Sequence, residues 1–388
     1  MKKKALFAML SIWSLSSHAQ SSVTLYGLID EGFEAASNTA VPGSRSGARL
    51  FRLDSTFGLN SSRWGLRGTE DLGGGLHSLF VLESGFELNT GKLQQGGAEF
   101  GRQAYVGISS DRFGTVTLGR QYDSVVDFIG RFEFGTSNVG TLHAAHPADL
   151  DNINDTRRTN NAIKFHSASL SGFSFEGLYS FGGVPGSSGT NSEFSLAAGY
   201  TGGPIDLGIA YLNAKNPAAS LFGSNPTDTA ASNGLTATPI LSGYATANSY
   251  QVVAAGGAYK LGRWQFGSTY SNIRFGGIGA LEQATAVFND VEGSVQYQFT
   301  PQLRAGVAYN YLHGSEVNAT VGGATYNQVS AGADYALSGR TDIYVAALYQ
   351  TAHGDDSTGR GAVANLNGIS ASSNRYQSLV RVGLRHRF

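Results

Sequence analysis

The residues able to do chemistry crowd into one stretch, Asp123–Lys164. It carries Asp127, Glu133, Asp149, Asp151, Asp155, Arg157, Arg158 and Lys164, with His143 and His146 three positions apart. A His-x-x-His pair can suit a metal, but a metal site needs the right number and geometry of ligands. No supporting ligand set accompanies this pair. The chain has no cysteine, which excludes a thiolate nucleophile, a thiolate metal centre and a disulfide framework. No Gly-x-Ser-x-Gly elbow and no phosphate-binding glycine loop is present. What remains is the chemistry of fixed charge, with acids and bases held at set positions beside water.

The stretch is also the longest internal segment without strand alternation. Connections of this length in a compact domain are functional or disordered. Val125, Val126, Phe128, Ile129, Phe132 and Phe134 give it too much apolar content for disorder. It is built to pack against something while presenting charge.

The elements on either side say what it packs into. Alternating segments of about ten residues recur along the chain, as in the spanning strands of a membrane barrel. They are Val23–Ala35, Ser61–Leu72, Leu76–Leu88, Phe100–Ser109, Gly114–Tyr122, Asn161–Ser169, Phe173–Phe181, Glu193–Thr201, Ile205–Asn213, Ser249–Lys260, Trp264–Arg274, Thr285–Phe299, Leu303–Leu312, Tyr326–Ala336, Thr341–Thr351 and Tyr376–Phe388. Short Gly/Pro turns alternate with long polar connections such as 37–60, 89–99 and 214–248. One end of the sheet is trimmed and the other elaborated. Many strands carry charge on one face and apolar residues on the other. Val380, Val382, Leu384 and Phe388 oppose Arg381, Arg385 and Arg387. A β-sandwich would be dry between its inner faces, so this pattern fits a lumen filled with water. The fold class expected is all-β, a 16-stranded antiparallel transmembrane β-barrel with its third long loop folded into the lumen.

Composition agrees. There are 53 glycines and only 8 prolines, and tyrosine and phenylalanine far outnumber tryptophan. Lys2-Lys3-Lys4, the apolar run Ala5–Leu15 and Ser17-His18-Ala19 read as a cleaved signal peptide over 1–19. Residues 20–388 then form a single barrel domain. Loss of Lys2, Lys3 and Lys4 leaves 28 acids against 24 bases, which excludes a strongly basic nucleic-acid binder.

Several motifs carry a resemblance across the whole mature chain. These are Ser22-Val23-Thr24-Leu25-Tyr26-Gly27, Ser62-Arg63-Trp64-Gly65-Leu66-Arg67-Gly68-Thr69-Glu70-Asp71-Leu72-Gly73, Leu82-Glu83-Ser84-Gly85-Phe86, Arg102-Gln103-Ala104-Tyr105-Val106-Gly107, Gly119-Arg120-Gln121-Tyr122 and the terminal Phe388. In this order they resemble the general trimeric porins of Gram-negative bacteria, of the betaproteobacterial type. The resemblance implies a loop presenting carboxylates to a ladder of arginines at mid-height. Phe132-Glu133-Phe134-Gly135 resembles the acidic loop tip, which makes Glu133 the first loop carboxylate and Asp127 the second. On the wall, alternation and resemblance together give Arg63 and Arg102, with Tyr105 turned to lipid. Arg158 and Lys164 share a parity, Arg120 follows from the motif match, and Glu83 follows from its parity with His77 and Glu87.

The resemblance further implies a homotrimer, with the 89–99 loop reaching a neighbour. It implies an outer-membrane setting among lipid and lipopolysaccharide, and recognition of Phe388 by the barrel assembly machinery. The expected activity is passive diffusion of small hydrophilic solutes and ions, without turnover, cofactor, metal or nucleic acid. A sugar-selective channel would need an aromatic track along the lumen, which parity does not place. A lipase-type barrel would carry Ser and His on its lipid face and fewer strands.

Overall fold

The computed structural model describes residues 22–44, 46–223 and 234–388, so the leader expected at 1–19 lies outside the described residues. Its strands are β1 (Ser22–Ala40), β2 (Gly47–Asp54), β3 (Arg63–Gly73), β4 (Leu76–Gly85), β5 (Gln103–Ser110), β6 (Gly114–Gln121), β7 (Thr159–Ser167), β8 (Phe173–Ser180) and β9 (Glu193–Gly202). The series continues with β10 (Ile205–Lys215), β11 (Ser249–Leu261), β12 (Trp264–Ile278), β13 (Ala284–Gln298), β14 (Leu303–Gly314), β15 (Ala324–Ala336), β16 (Thr341–Gly354) and β17 (Tyr376–Arg387).

From β3 onward each strand pairs antiparallel with the next. One edge of β1 pairs with β17; the other pairs with β2 along its upper half and β3 along its lower half. β2 and β3 are therefore two pieces of one stave, and the seventeen strands make a closed barrel of 16 staves. Closure leaves no unpaired edge for a lipid environment to penalise.

Two expectations about β1 need correction. The 37–60 segment is not one long outer loop. Gly47–Asp54 is a strand, hidden in the sequence by Arg49, Arg52 and Asp54, and Ser55–Ser62 then turns inward. The first and last strands, expected from the sequence to close the barrel near Ser22, do not meet there. Ser22–Leu28 lies against β3, and the seam to β17 begins at Gly27, whose N–H donates to the Phe388 carbonyl at 3.2 Å and whose carbonyl accepts from Phe388 N–H at 3.0 Å. A closed barrel requires such a stagger between its first and last strands.

Alternation sorts the side chains. On β12, Trp264, Phe266 and Tyr270 are exposed on the outer wall, while Thr269, Ser271, Ile273 and Phe275 are buried inside. Val106, Ile108, Leu118, Val307, Val380 and Val382 continue the apolar exterior. The short turns lie at the end that holds Ser22 and Phe388, and the long connections lie at the other end.

The interior is not empty. The β6–β7 connection enters it through helix α1 (Ser124–Ile129), whose N-cap Asp123 accepts from the Val125 and Val126 N–H groups, a standard solution for orphan helix donors. Val125, Phe128, Ile129, Phe132, Leu150 and Ile153 join Leu212, Tyr250, Val252, Ile273 and Phe275 in one apolar cluster. Each large side chain buried this way contributes roughly 1.5–3 kcal/mol. Glycine makes the close approach possible. A Cβ on Gly256 would stand 2.6 Å from the Phe132 ring, and one on Gly332 would stand 1.8 Å from the Val139 carbonyl oxygen. The connection therefore lies flat along β9–β15 and leaves the opposite side of the lumen open.

Candidate functional site

The open side is bounded by β3–β7 and the inward segment Ser55–Ser62. Arg102, just before β5, is buried and sends Nε to Glu83 Oε1 at 2.8 Å. Its Nη2 donates to the Tyr122 hydroxyl at 2.8 Å and to Asp155 Oδ2 at 3.4 Å. Arg63 stands 3.7 Å from the other Glu83 oxygen. Arg158 donates to Asp155 Oδ1 at 3.0 Å and to the Tyr122 hydroxyl at 3.5 Å. Arg120 donates to the Gly101 carbonyl at 2.7 Å and to Asn160. Lys164 donates to the Tyr122 carbonyl at 3.1 Å and pairs with Asp127.

Arg63, Arg102, Arg120, Arg158, Lys164 and Glu83 thus gather on one wall. Two adjoining cavities follow it. A cavity of about 430 Å³ on the long-loop side touches Gln94, Arg120, Arg157, Arg158, Phe222 and Asn367. A narrower one of about 190 Å³ touches Asn60, Arg63, Glu83, Gln103, Tyr122 and Thr136. The two meet at Ser61, Arg102, Leu142 and Asp155. Gln94–Gly96 line the wider cavity of their own barrel, while Asn89–Leu93 are exposed.

Glu133 is elsewhere. Its side chain is 1% exposed and sits behind the loop, against the barrel wall. One carboxylate oxygen accepts from His146 N–H at 2.9 Å and the other from Asn154 Nδ2 at 2.5 Å. Burial pushes this carboxyl well above its usual range against the pull of His146. The expectation that Glu133 faces water from the loop tip is not met. Phe134 N–H donates to Glu292 Oε1 at 2.7 Å, and this bond draws that part of the loop onto β13. The carboxylate that does face the arginines is Asp155, a third exposed. Asp127 is second in a different sense, because it neutralises Lys164 at the foot of α1.

Tyr105 also departs from expectation. Gln103 pairs with Glu83 and Tyr105 with Val81, so Tyr105 lies on the lumen face while Val106 and Ile108 face outward. Arg102 precedes the strand, and strand parity does not extend from it to Tyr105. Asp155, Tyr122 and Arg157 also line the two cavities and are positions that the motif reasoning does not select. The one signal was local: Asp155 stands three residues before Arg158, within ion-pair reach.

His143 and His146 do not converge on a common ligand. His143 Nε2 meets Glu34 Oε2 at 2.7 Å and its Nδ1 meets the Asn367 carbonyl at 2.5 Å. Glu34, Asp54 and His143 lie close enough to hold a cation. Arg381 already fills that space, at 3.0 Å from Glu34 and 3.1 Å from Asp54, and Arg52 caps Glu34 from the far side. The group is a closed ion-pair cluster pinning the loop to β1 and β17.

Comparison with known proteins is consistent with this architecture. The family model described as Gram-negative porin matches residues 5–357. An outer membrane porin protein of Bordetella pertussis is 30% identical over 414 aligned residues, covering all of both chains. The anion-selective porin from Comamonas acidovorans superposes with a TM-score of 0.72 at 21% identity, over 95% of this chain and 100% of that one. The trimer form of OmpT from Vibrio cholerae superposes with a TM-score of 0.61 at 15% identity, over 95% and 99%. A family match over most of the chain, a full-length relative and a closed 16-stave barrel with a water-accessible passage converge on one conclusion: this chain belongs to the Gram-negative porins, a family of channels rather than enzymes, and forms an outer-membrane pore for passive diffusion of small hydrophilic solutes.

Proposed function

We propose that the passage prefers anions, and that its selective point lies between Asp155 on the loop and the Arg63/Arg102/Arg158 wall. The observation that carries this is a charge imbalance. Among the described residues, Arg63, Arg102, Arg120, Arg157 and Arg158 touch the two cavities, against Glu83 and Asp155 among the carboxylates. Lys164 stands lower on the same wall, offset by Asp127. Rings of like charge beside a narrow aqueous path set ion preference, and low-dielectric walls focus the field. An anion passing Arg102 meets guanidinium donors fixed by Glu83 and Tyr122, so little reorganisation is needed. The sign agrees with the anion-selective porin of Comamonas acidovorans, whose likeness to this chain is one of fold.

The test is the zero-current potential of the purified protein in a planar bilayer under a salt gradient. A potential of the sign set by chloride is expected, and a potential set by the cation would reject the proposal. The homotrimer belongs to the same proposal, supported by the trimeric OmpT likeness. Conductance steps in groups of three and a trimeric mass by native mass spectrometry would support it. Contacts with lipid and lipopolysaccharide, and recognition of Phe388 by the assembly machinery, follow from the outer-membrane setting. Deleting Phe388 should lower the amount of assembled barrel.

A further inference from the structure

Behind the loop lies a second cluster of charge, which reaches the passage only through Arg157 among the described residues. His146 is fully buried. Its Nδ1 is 2.8 Å from Asp151 Oδ2 and 3.4 Å from Asp290 Oδ1. Its Nε2 is 3.2 Å from the Thr269 hydroxyl and 4.0 Å from both Glu133 and Glu292. Acceptors at both ring nitrogens suit the doubly protonated imidazolium.

Each element packed against the ring contributes. The loop supplies Glu133, Asp149 and Asp151; β12 supplies Thr269 and Ser271; β13 supplies Asp290 and Glu292; β14 supplies Asn310, which donates to Asp290. Arg157 is the other cation nearby, bound to the Asp149 carbonyl at 2.6 Å. Five carboxyl groups therefore share a dry site with one imidazole and one guanidinium. The second oxygen of Asp290 is buried without a partner. Five carboxylates against two cations would leave three charges unpaired, and buried charge that lacks a counter-charge takes up a proton instead.

We propose that His146 is a positioning residue for the channel, a proton-dependent latch that holds the loop against β12 and β13 and so sets how far Asp155 stands from the arginine wall. The electrostatics give its sign. Burial alone would lower the His146 ring, but Asp290 and Asp151 outweigh it and hold the ring well above its usual range. Burial holds Glu133 well above its own usual range. A histidine raised in this way stabilises most below its ordinary value of 6.5 and loses that contribution as pH climbs through the raised one. A carboxyl kept protonated by burial loses stability over the same direction, beginning above its ordinary 4.5. Both act together, so the latch is tight in acid and weakens in alkali.

The test records single-channel conductance and open-channel noise from pH 5 to 10. At each pH, hydrogen–deuterium exchange over residues 142–155 is compared between variants, which reads the loop without relying on ion selectivity. Wild type should show a quiet channel that becomes noisy and exchanges faster in alkali. His146→Gln removes the imidazolium at every pH, so the loop should already exchange fast at neutral pH and the alkaline step that belongs to the ring should be lost. Glu292→Gln removes one of the carboxylates that keep the ring and Glu133 protonated and should move the onset down, and it serves as the test should His146→Gln fail to assemble. A wild-type channel with flat conductance and flat loop exchange across the range would overturn the proposal, as would variants that titrate like wild type.

Discussion

The loop has two faces, and they are built on opposite principles. Its front meets the buried Arg102 and Arg158 through Asp155, which is a third exposed beside the passage. Its back meets β12 and β13 through Glu133, His146 and Asp151, with no water access and acid in excess. At the front Asp155 keeps contact with water while its arginine partners are fixed, so it can set a preference without setting a shape. At the back the charges are desolvated, where an unpaired one costs several kcal/mol, so they set a shape and have no view of the solute. The same residue type therefore does different work on two sides of one short segment.

Substitutions can break that separation. The largest effect is expected from Gly332→Val, which belongs to neither charged face. Its Cβ would overlap the Val139 carbonyl, a backbone atom that cannot rotate away. The loop tip should leave the wall, raising conductance severalfold or lowering the unfolding temperature; overpacking typically costs about 1–3 kcal/mol. Unchanged conductance and stability would mean the loop does not lie where it is described.

Arg102→Gln comes next and should act at both levels. It removes a front charge, moving the zero-current potential toward cations. It also strips Glu83 of its closest partner, so thermal stability should fall, while Arg102→Gln/Glu83→Gln should recover stability but not selectivity. Asp155→Asn should give a smaller shift of the opposite sign with stability unchanged within about 0.5 kcal/mol. Both selectivity shifts should shrink at 1 M salt, where the Debye length is about 3 Å. The smallest effect on selectivity is expected from Glu133→Gln. If its zero-current potential moves as far as that of Asp155→Asn, the two faces are not electrically separate.

How much of this could be read in the sequence follows the regularity of the backbone. Where the chain is a strand, period-2 alternation placed Arg63, Glu83 and Lys164 on the lumen side and Val380 and Val382 outside. It failed first at Gly47–Asp54, where three charged residues in eight disguise a strand with Phe51 and Leu53 outward. It fails again at Tyr105, because Arg102, the reference for its parity, lies outside the strand. In the loop no period exists to count. Ala148, Asp149, Asn152 and Asp155 all have positive φ, an uncommon conformation for such residues, and each one redirects the chain. That is why the motif points to Glu133 and Asp127 and passes over Asp155: a motif can mark acids in a loop, but only the backbone turns decide which of them meets water.

The seam between Gly27 and Phe388 has a consequence in time. Most strand pairs here join neighbours along the chain and can zip locally, but β1 and β17 come from opposite ends of the chain. Such a contact pays its loop-closure entropy before any reward arrives. Closure is therefore expected as the final event, gated by synthesis and export of the last strand. Until then β1 waits with one edge bare, and a chaperone that covers that edge would determine how many chains reach the membrane.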